Sequence, residues 1–298
     1  MKIAAIGIGS NSLRMLVARI DSGVLVRSKR YRKGLRMFAA LDAQKNLSQE
    51  MIDTACQSIL EFKNQALLEG AEVVHLFATS AVRDAKNSDY LTKCLFESTG
   101  LELDICSGDE EAALSFRGAA ESDTAGMIDI GGGSTELAIG KTGKPSDTVS
   151  LQMGAVRLFR EKAIQSIEDA QEVVRMASEI IKPVQNRFSD NTRKLTWVGV
   201  GGTFTTSAAL VQQISWEQRD KIHGFVMKKS DVKEIMEQLA PLPVEERLKL
   251  PGLQPQRADI VVHGIAILLA CMHMLNIEQI MVSEHGNLEG YLKSKYIF

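Results

Sequence analysis

Short apolar runs alternate with longer amphipathic ones along the chain. Residues 3 to 8 form a brief apolar run that stops at glycine. "LRMLVARI" resumes after a polar turn, and "GVLVRSKRYRK" alternates closely enough for a third strand. "SQEMIDTACQSILEFKNQALLEG" has the helical period, with Ser48 as a start signal and Gly70 as a stop. "EVVHLFATS" reads as a strand, "DYLTKCLFESTG" as a helix closed by Gly100, and "LELDICS" as a strand. "DEEAALSFRGAAES" opens a helix with acids in its first turn, where the helix dipole favours them. At residue 126 the order restarts. "GMIDIGGGSTELAIG" predicts strand, tight turn, strand; "SIEDAQEVVRMASEIIKPV" a helix to about Pro183; and "KLTWVGVGG" a strand feeding the helix of "TFTTSAALVQQI". "KKSDVKEIMEQLA" and "RADIVVHGIAILLACMHMLN" are further helices, the second read as core or dimer contact. The strand "IEQIMVSE" then precedes a turn and terminal helix. Strands alternating with helices imply α/β layering.

The two glycine turns are built alike. Matching Gly9 to Gly131 also matches Ser12 to Ser134, Arg14 to Glu136 and Val17 to Ile139, a constant offset of 122 residues. β-prone residues follow each turn, so both are strand-turn-strand rather than the strand-turn-helix of a Rossmann unit. The chain therefore reads as two related halves, residues 1–124 joined by a terminal helix at 288–298, and residues 125–287. Glycine lets the backbone approach a ligand closely, and consecutive amides in such a turn form an anion-binding nest. By this reading Gly9, Ser10, Asn11 and Ser12 make one phosphate cradle, and Gly131, Gly132, Gly133, Ser134 and Thr135 make a second one facing it. Asp129 and Glu136 flank the second cradle, and a carboxylate pair beside phosphate oxygens suits Mg2+, with Mn2+ as a substitute. The first half has Gly7 where the second has Asp129. "GVGGTFTTSAAL" offers Gly199, Gly201, Gly202 and Thr203 as a secondary anion or nucleotide turn at a helix N-terminus, or as close packing. "FATSAVRDAKN" brings Arg83, whose forked donors suit phosphate. "SGDEEA" brings Asp109, Glu110 and Glu111, any one of which can take a proton from water.

The 298 residues carry 35 basic and 37 acidic side chains, a balance that disfavours a dedicated nucleic-acid binder. One local run departs from it: "RSKRYRKGLR" holds Arg27, Lys29, Arg30, Arg32, Lys33 and Arg36 with no acid between them, either a solvated strand edge or a steering surface for a polyanion. Four scattered cysteines suggest a reducing compartment, no apolar run reaches the roughly 20 residues of a membrane span, and the cytoplasm is the expected location. His75, His263 and His273 read as interior or boundary residues. His223 and His285 lie at turns within reach of a ligand, and no spacing matches a zinc motif.

The stretches "GSNSLRMLV", "FATSAVRDAKN", "SGDEEAAL", "IDIGGGSTELAIG", "MGAVRL", "GVGGTFTTSAAL", "IHG", "LPGL" and "RADIVVHGIAIL" together resemble the exopolyphosphatase/guanosine pentaphosphate phosphatase family, in family order along nearly the whole chain. The resemblance implies an actin-like, sugar kinase-like and ribonuclease H-like fold of two domains around a cleft. It also implies Mg2+-dependent hydrolysis of terminal phosphoanhydrides, in inorganic polyphosphate or guanosine pentaphosphate, and a homodimer. It assigns the water-activating base to the first glutamate of "EEA", here Glu110, and places Asp129 and Glu136 in the metal and phosphate site. Three stretches depart from the family pattern. Gly7 stands for an aspartate, "RMFAAL" replaces a stretch resembling "RLGEGL", and "EHGNLEG" has Leu288 where arginine is typical. These departures keep two other readings open: a polyphosphate or alarmone sensor without turnover, and an ATP-dependent small-molecule kinase.

Overall fold

A computed structural model describes residues 1–122, 124–189 and 195–297, apart from the side chains of Arg27 and Ser28. The first half runs β1 (Lys2–Ile8), β2 (Ser12–Asp21), β3 (Val24–Gly34), α1 (Gln49–Leu68), β4 (Val73–Ala78), α2 (Ser80–Arg83), α3 (Ser88–Thr99), β5 (Leu103–Ile105) and α4 (Gly108–Ala119). The second runs β6 (Ala125–Ile130), β7 (Thr135–Lys141), β8 (Lys144–Leu151), α5 (Ala155–Glu161), α6 (Ile167–Ile181), α7 (Gln185–Phe188), β9 (Thr196–Val200) and α8 (Gly202–Gln212). It continues through α9 (Arg219–Ile222), β10 (Val226–Lys228), α10 (Lys229–Leu239), α11 (Val244–Arg247), α12 (Val261–Met274), β11 (Gln279–Ser283) and α13 (Asn287–Tyr296).

The sheets repeat one topology. The first has the order β3-β2-β1-β4-β5, and the second contains β8-β7-β6-β9-β11 with β10 added at its edge. In each, an antiparallel meander continues into parallel strands. The repeat extends to single bonds: Gly9 N donates to Ser12 O at 3.1 Å, and Gly131 N to Ser134 O at 3.0 Å. The matched glycine turns are thus the β1-β2 and β6-β7 hairpins of two related domains.

Local chemistry accounts for the elements. The Ser48 hydroxyl accepts from the Met51 amide and starts α1, whose Ile52, Ala55, Ile59, Phe62 and Ala66 are buried at helical spacing. Gly100 ends α3 in the left-handed region at φ 67°. α12 is enclosed along almost all its length within the second domain's core, among residues such as Val173, Ile235 and Ile280, so it is core and offers no dimer face.

Two helices tie the halves together. α13 returns to the first domain, where Leu288, Tyr291 and Leu292 pack with Ile3, Ala5, Leu16 and Phe77. It crosses α4 at backbone contact: a Cβ on Gly118 would stand 1.9 Å from the Gly286 carbonyl oxygen, and one on Gly290 1.7 Å from that of Leu114. α4 also packs on the second sheet through Phe116 and Ala119. It is a wall shared by both domains, and what it projects inward reaches the space between them.

Candidate active site

The two hairpin turns touch. A Cβ on Gly132 would lie 2.9 Å from Ser10 Cβ, so only glycine allows the second turn this close to the first. The Ser10 hydroxyl shares a 2.7 Å hydrogen bond with that of Ser80, at the start of α2. Among the described residues, the amides of Ser10 and Asn11 and of Gly132 and Gly133 donate to no backbone carbonyl. Two facing turns with undirected N–H groups are what an anion nest requires.

Three acids converge behind the turns. Asp129 at the end of β6 and Glu136 at the start of β7 are direct cross-strand partners, so their side chains leave one face of the sheet. Asp129 accepts from the Ser115 hydroxyl of α4 at 2.6 Å, and Glu136 from the Ser150 hydroxyl at 2.7 Å. Glu111, also from α4, accepts from Arg83 Nη1 at 3.1 Å. They are 8%, 1% and 6% exposed, which is unusual for carboxylates and demands compensation. Burial pushes the Glu111 carboxyl up to about 7, with Arg83 pulling it down and Asp129 pushing it further up. Burial also raises Asp129, and raises Glu136 well above the ordinary range with help from the charges of Glu111 and Asp129. Arg83 Nη1 also donates to the Cys106 carbonyl at 2.8 Å, while its Nη2 is buried without a hydrogen-bond partner.

The expected base, Glu110, lies outside this cluster. Glu110 is exposed; its carboxylate accepts from the Ser107 amide at 2.7 Å in a capping box, and it borders a separate groove with Asp104, Asp109 and Arg117. Glu110 fastens the end of α4, and Glu111, one position on, is turned by about 100° into the cleft. The Thr135 hydroxyl is fully buried and donates to the Met153 carbonyl at 2.8 Å, on the inner side of the turn. Ser12 and Ser134 are buried beside the turns, and the Ser134 hydroxyl bonds Glu136.

The third turn divides. Gly199 and Thr203 are packing residues, the first under the Phe204 ring and the second against Gly264. Gly201, at φ +94°, faces Asp129, whose Oδ1 would be 2.8 Å from an added Cβ. Gly202 lies against the Arg257 guanidinium. Arg257 opens a cavity between the domains, lined also by Arg14, Arg30, Arg32 and Arg219. Strand alternation splits the basic run of β3. Arg30 and Arg32 point into this cavity, while Lys29 pairs with Glu69 at the end of α1, Lys33 with Glu61 of α1, and Arg36 with Asp259. His223 and His285 stack at 4.6 Å, with His285 at the cavity wall.

Sequence reasoning singled out Arg30 and Arg32 as surface charges and passed over Arg14 and Arg257 as site residues. The pairing of Arg14 with the position of Glu136 across the repeat was the available signal, as was the place of Arg257 in "RADIVVHG". Among the described residues no group of three or more His, Cys, Asp and Glu side chains is arranged to hold a metal. None of the described helices is long and apolar enough to cross a membrane.

Residues 16–296 match the model of the Ppx/GppA phosphatase family. Exopolyphosphatase 2 of Mycobacterium tuberculosis is 30% identical over 312 residues, covering 97% of each chain. A PPX-GPPA enzyme of Aquifex aeolicus superposes with a TM-score of 0.84 at 27% identity, over 99% of both chains. An exopolyphosphatase from Cytophaga hutchinsonii shares the fold, with a TM-score of 0.88 at 24% identity over 99% of this chain and 98% of its own. With matched hairpin turns facing one another across an actin-like pair of domains, the chain belongs to the Ppx/GppA phosphatase family.

Proposed function

We propose that the protein hydrolyses a terminal phosphoanhydride of a polyphosphate-type substrate, inorganic polyphosphate foremost and guanosine pentaphosphate as the second candidate. The observation that carries this reading is the convergence of Glu111, Asp129, Glu136 and Arg83 on two glycine turns whose amides have no backbone partner. The terminal phosphate rests on the amides of Ser10, Asn11, Gly132 and Gly133, with the unpartnered Arg83 Nη2 as a further donor. Glu111 takes the proton of the attacking water. Its raised affinity for protons suits a base working near neutral pH. Arg83 orients this carboxylate through the 3.1 Å bond and favours its ionised form. Ser115 and Ser150 hold Asp129 and Glu136 in place.

The donor set fits a hard divalent cation. Asp129 and Glu136 are buried oxygen donors on one face, and the crowding of negative charge that raises Glu136 is relieved by positive charge placed there. Asp129 and Glu136 would hold Mg2+ or Mn2+, which supplies charge neutralisation at the phosphate oxygens. A phosphate-release assay with long polyphosphate, short polyphosphate and guanosine pentaphosphate, in excess Mg2+ or Mn2+, tests the proposal. Release from at least one substrate is expected, and release from none of them overturns it.

A further inference from the structure

Cys56 and Cys94 meet across the seam between α1 and α3. The register of the two helices is set at both ends. Near their starts, Tyr90 of α3 bonds Gln49 of α1 and feels the charge of Asp53. Near their ends, Lys63 Nζ of α1 donates to the Thr99 carbonyl of α3 at 2.5 Å. The helices therefore run side by side in one direction, and Cys56 and Cys94 stand between those two contacts. Their neighbours Ile52, Ala55, Ile59, Leu91 and Leu95 are buried in one core, and both cysteines pack at its margin, half-buried and as free thiols. The Ser98 hydroxyl spans the seam. It donates to the Cys94 carbonyl at 2.8 Å and bonds the Cys56 sulfur, which also lies close enough to Cys94 and Asp53 to feel their charges. Packed helices lie about 8–10 Å apart with Cα atoms about 2.3 Å from each axis, so facing positions come within about 4–6 Å. A disulfide spans that distance.

The other two cysteines stand apart. Cys106 and Cys271 are buried in different domains, and burial pushes each thiol up to about 12. Such thiols hold their protons and are poor nucleophiles. The half-buried pair is reachable from solvent, and the Ser98 hydroxyl counters the effect of burial at Cys56.

We propose that Cys56 and Cys94 form a redox modification site, at which a peroxide converts the two thiols into a reversible disulfide that staples α1 to α3. One thiolate attacks a peroxide oxygen and the O–O bond breaks. That sulfur becomes a sulfenic acid, and the departing hydroxide takes up the thiol proton as water. The second thiolate attacks the sulfenic sulfur; the S–O bond breaks, the S–S bond forms, and the second thiol proton leaves with the hydroxide as another water. Two thiols lose two electrons in all, and one hydrogen peroxide is reduced to two waters. The loop closed by the bond contains β4 and α2, so it includes Arg83, but no group of the hydrolytic cluster takes part. The site stands whether or not the hydrolytic reading does.

The test treats the folded protein with a slight excess of hydrogen peroxide, alkylates the remaining thiols in urea and digests without reductant. A peptide linking Cys56 to Cys94 is expected, with Cys106 and Cys271 recovered as alkylated thiols and all four thiols restored by dithiothreitol. Calorimetry should place Tm of the oxidised protein about 5–10 °C above that of the reduced one, because the bond restrains the unfolded chain. Cys56→Ser and Cys94→Ser should each leave one sulfenic acid that dimedone traps, and no linked peptide. The proposal is overturned if Cys56 and Cys94 remain thiols or end as separate oxidised acids. Linkage through other cysteines or between two chains overturns it too, as does a lower Tm on oxidation. Mapping of the wild-type protein decides the matter even where a serine variant fails to fold.

Discussion

Leu288 and Gly7 are in contact. A Cβ placed on Gly7 would stand 3.4 Å from Leu288 Cδ2 and 2.8 Å from the tip of the Phe77 ring, which is itself stacked on Tyr291 at 4.5 Å. Two departures from the family pattern, a missing acid and a missing base, therefore meet at one point. In this chain the apolar side chains of Phe77 and Leu288 fill the space beside Gly7. Gly7→Asp alone should displace Phe77 and bury a carboxylate in an apolar cluster, at a cost of about 2 kcal/mol or more, with no gain in Mg2+ affinity. Leu288→Arg alone should also destabilise. The double variant should be more stable than the sum of the singles by about 1–3 kcal/mol. Urea denaturation of the four proteins measures the coupling; simple additivity, or tighter Mg2+ binding by Gly7→Asp alone, would count against the exchange.

Adjacent glutamates on α4 sit in different surroundings, Glu110 in the helix cap and Glu111 buried in the cleft, and kinetics should separate them. Glu111→Gln keeps the shape of a buried side chain but removes the proton acceptor, so kcat should fall by about 10²–10⁴-fold. Glu110→Gln leaves an oxygen acceptor for the Ser107 amide and should leave kcat within about twofold. Glu110→Ala should cost about 0.5–1 kcal/mol of stability through the lost cap, again with kcat retained. A large fall in kcat for Glu110→Gln with Glu111→Gln active would reverse the assignment.

The sequence made the repeat legible because strand-turn-strand chemistry is local. Gly9 and Gly131, Ser12 and Ser134 fall in register at a fixed offset, and the same register reappears as equivalent hydrogen bonds. Choosing between Glu110 and Glu111 depended on how α4 is rotated between two sheets, which the run "DEEA" does not encode. Capping chemistry held a clue, since Ser107 followed three residues later by glutamate is a capping-box spacing that claims Glu110 for the helix end. The arginine cavity was hidden differently. Arg14, Arg32 and Arg257 come from β2, β3 and the segment before α12, and only domain closure gathers them. Alternation along β3 would have separated Arg30 and Arg32 from Lys29 and Lys33, but not shown which face was covered.

Stability without metal should depend on pH through the three buried acids. Glu111 binds its proton at about 7 in the folded protein against an ordinary value of 4.5, and Asp129 and Glu136 are displaced in the same direction. Between these limits the folded state holds more protons than the unfolded one, so stability falls as pH rises towards and through 7. Burial lowers His75, His263 and His273, which oppose the trend below their ordinary value of 6.5. The clean window is therefore pH 6.5 to 8. In EDTA, Tm should decrease across that window, and the increase in Tm on adding Mg2+ should be larger at pH 8 than at pH 6.5. Scanning calorimetry at both pH values checks this, and a Mg2+ effect that shrinks with rising pH would contradict cation binding at these acids.

Phe38, the third departure, fastens both turns at once. Its amide donates to the Ser10 carbonyl at 2.9 Å, and its ring covers Gly133 so closely that a Cβ there would lie 2.7 Å from it. Arg157 completes the clamp, with its guanidinium 4.8 Å above the ring and its Nε donating to the Gly133 carbonyl at 2.7 Å. A bulky residue in a stretch that resembles a glycine-containing one thus presses the second turn towards the first. Phe38→Ala should cost about 3 kcal/mol and loosen the turns, raising KM for polyphosphate more than it lowers kcat. Gly133→Ala should cost about 1–3 kcal/mol by overpacking against the ring. Removing the ring makes room for the added methyl, so Phe38→Ala combined with Gly133→Ala should be less destabilised than the two costs together. Denaturation midpoints of the set, with KM and kcat for the Phe38→Ala protein, test the clamp. Additive losses, or an unchanged KM, would make Phe38 an ordinary core residue.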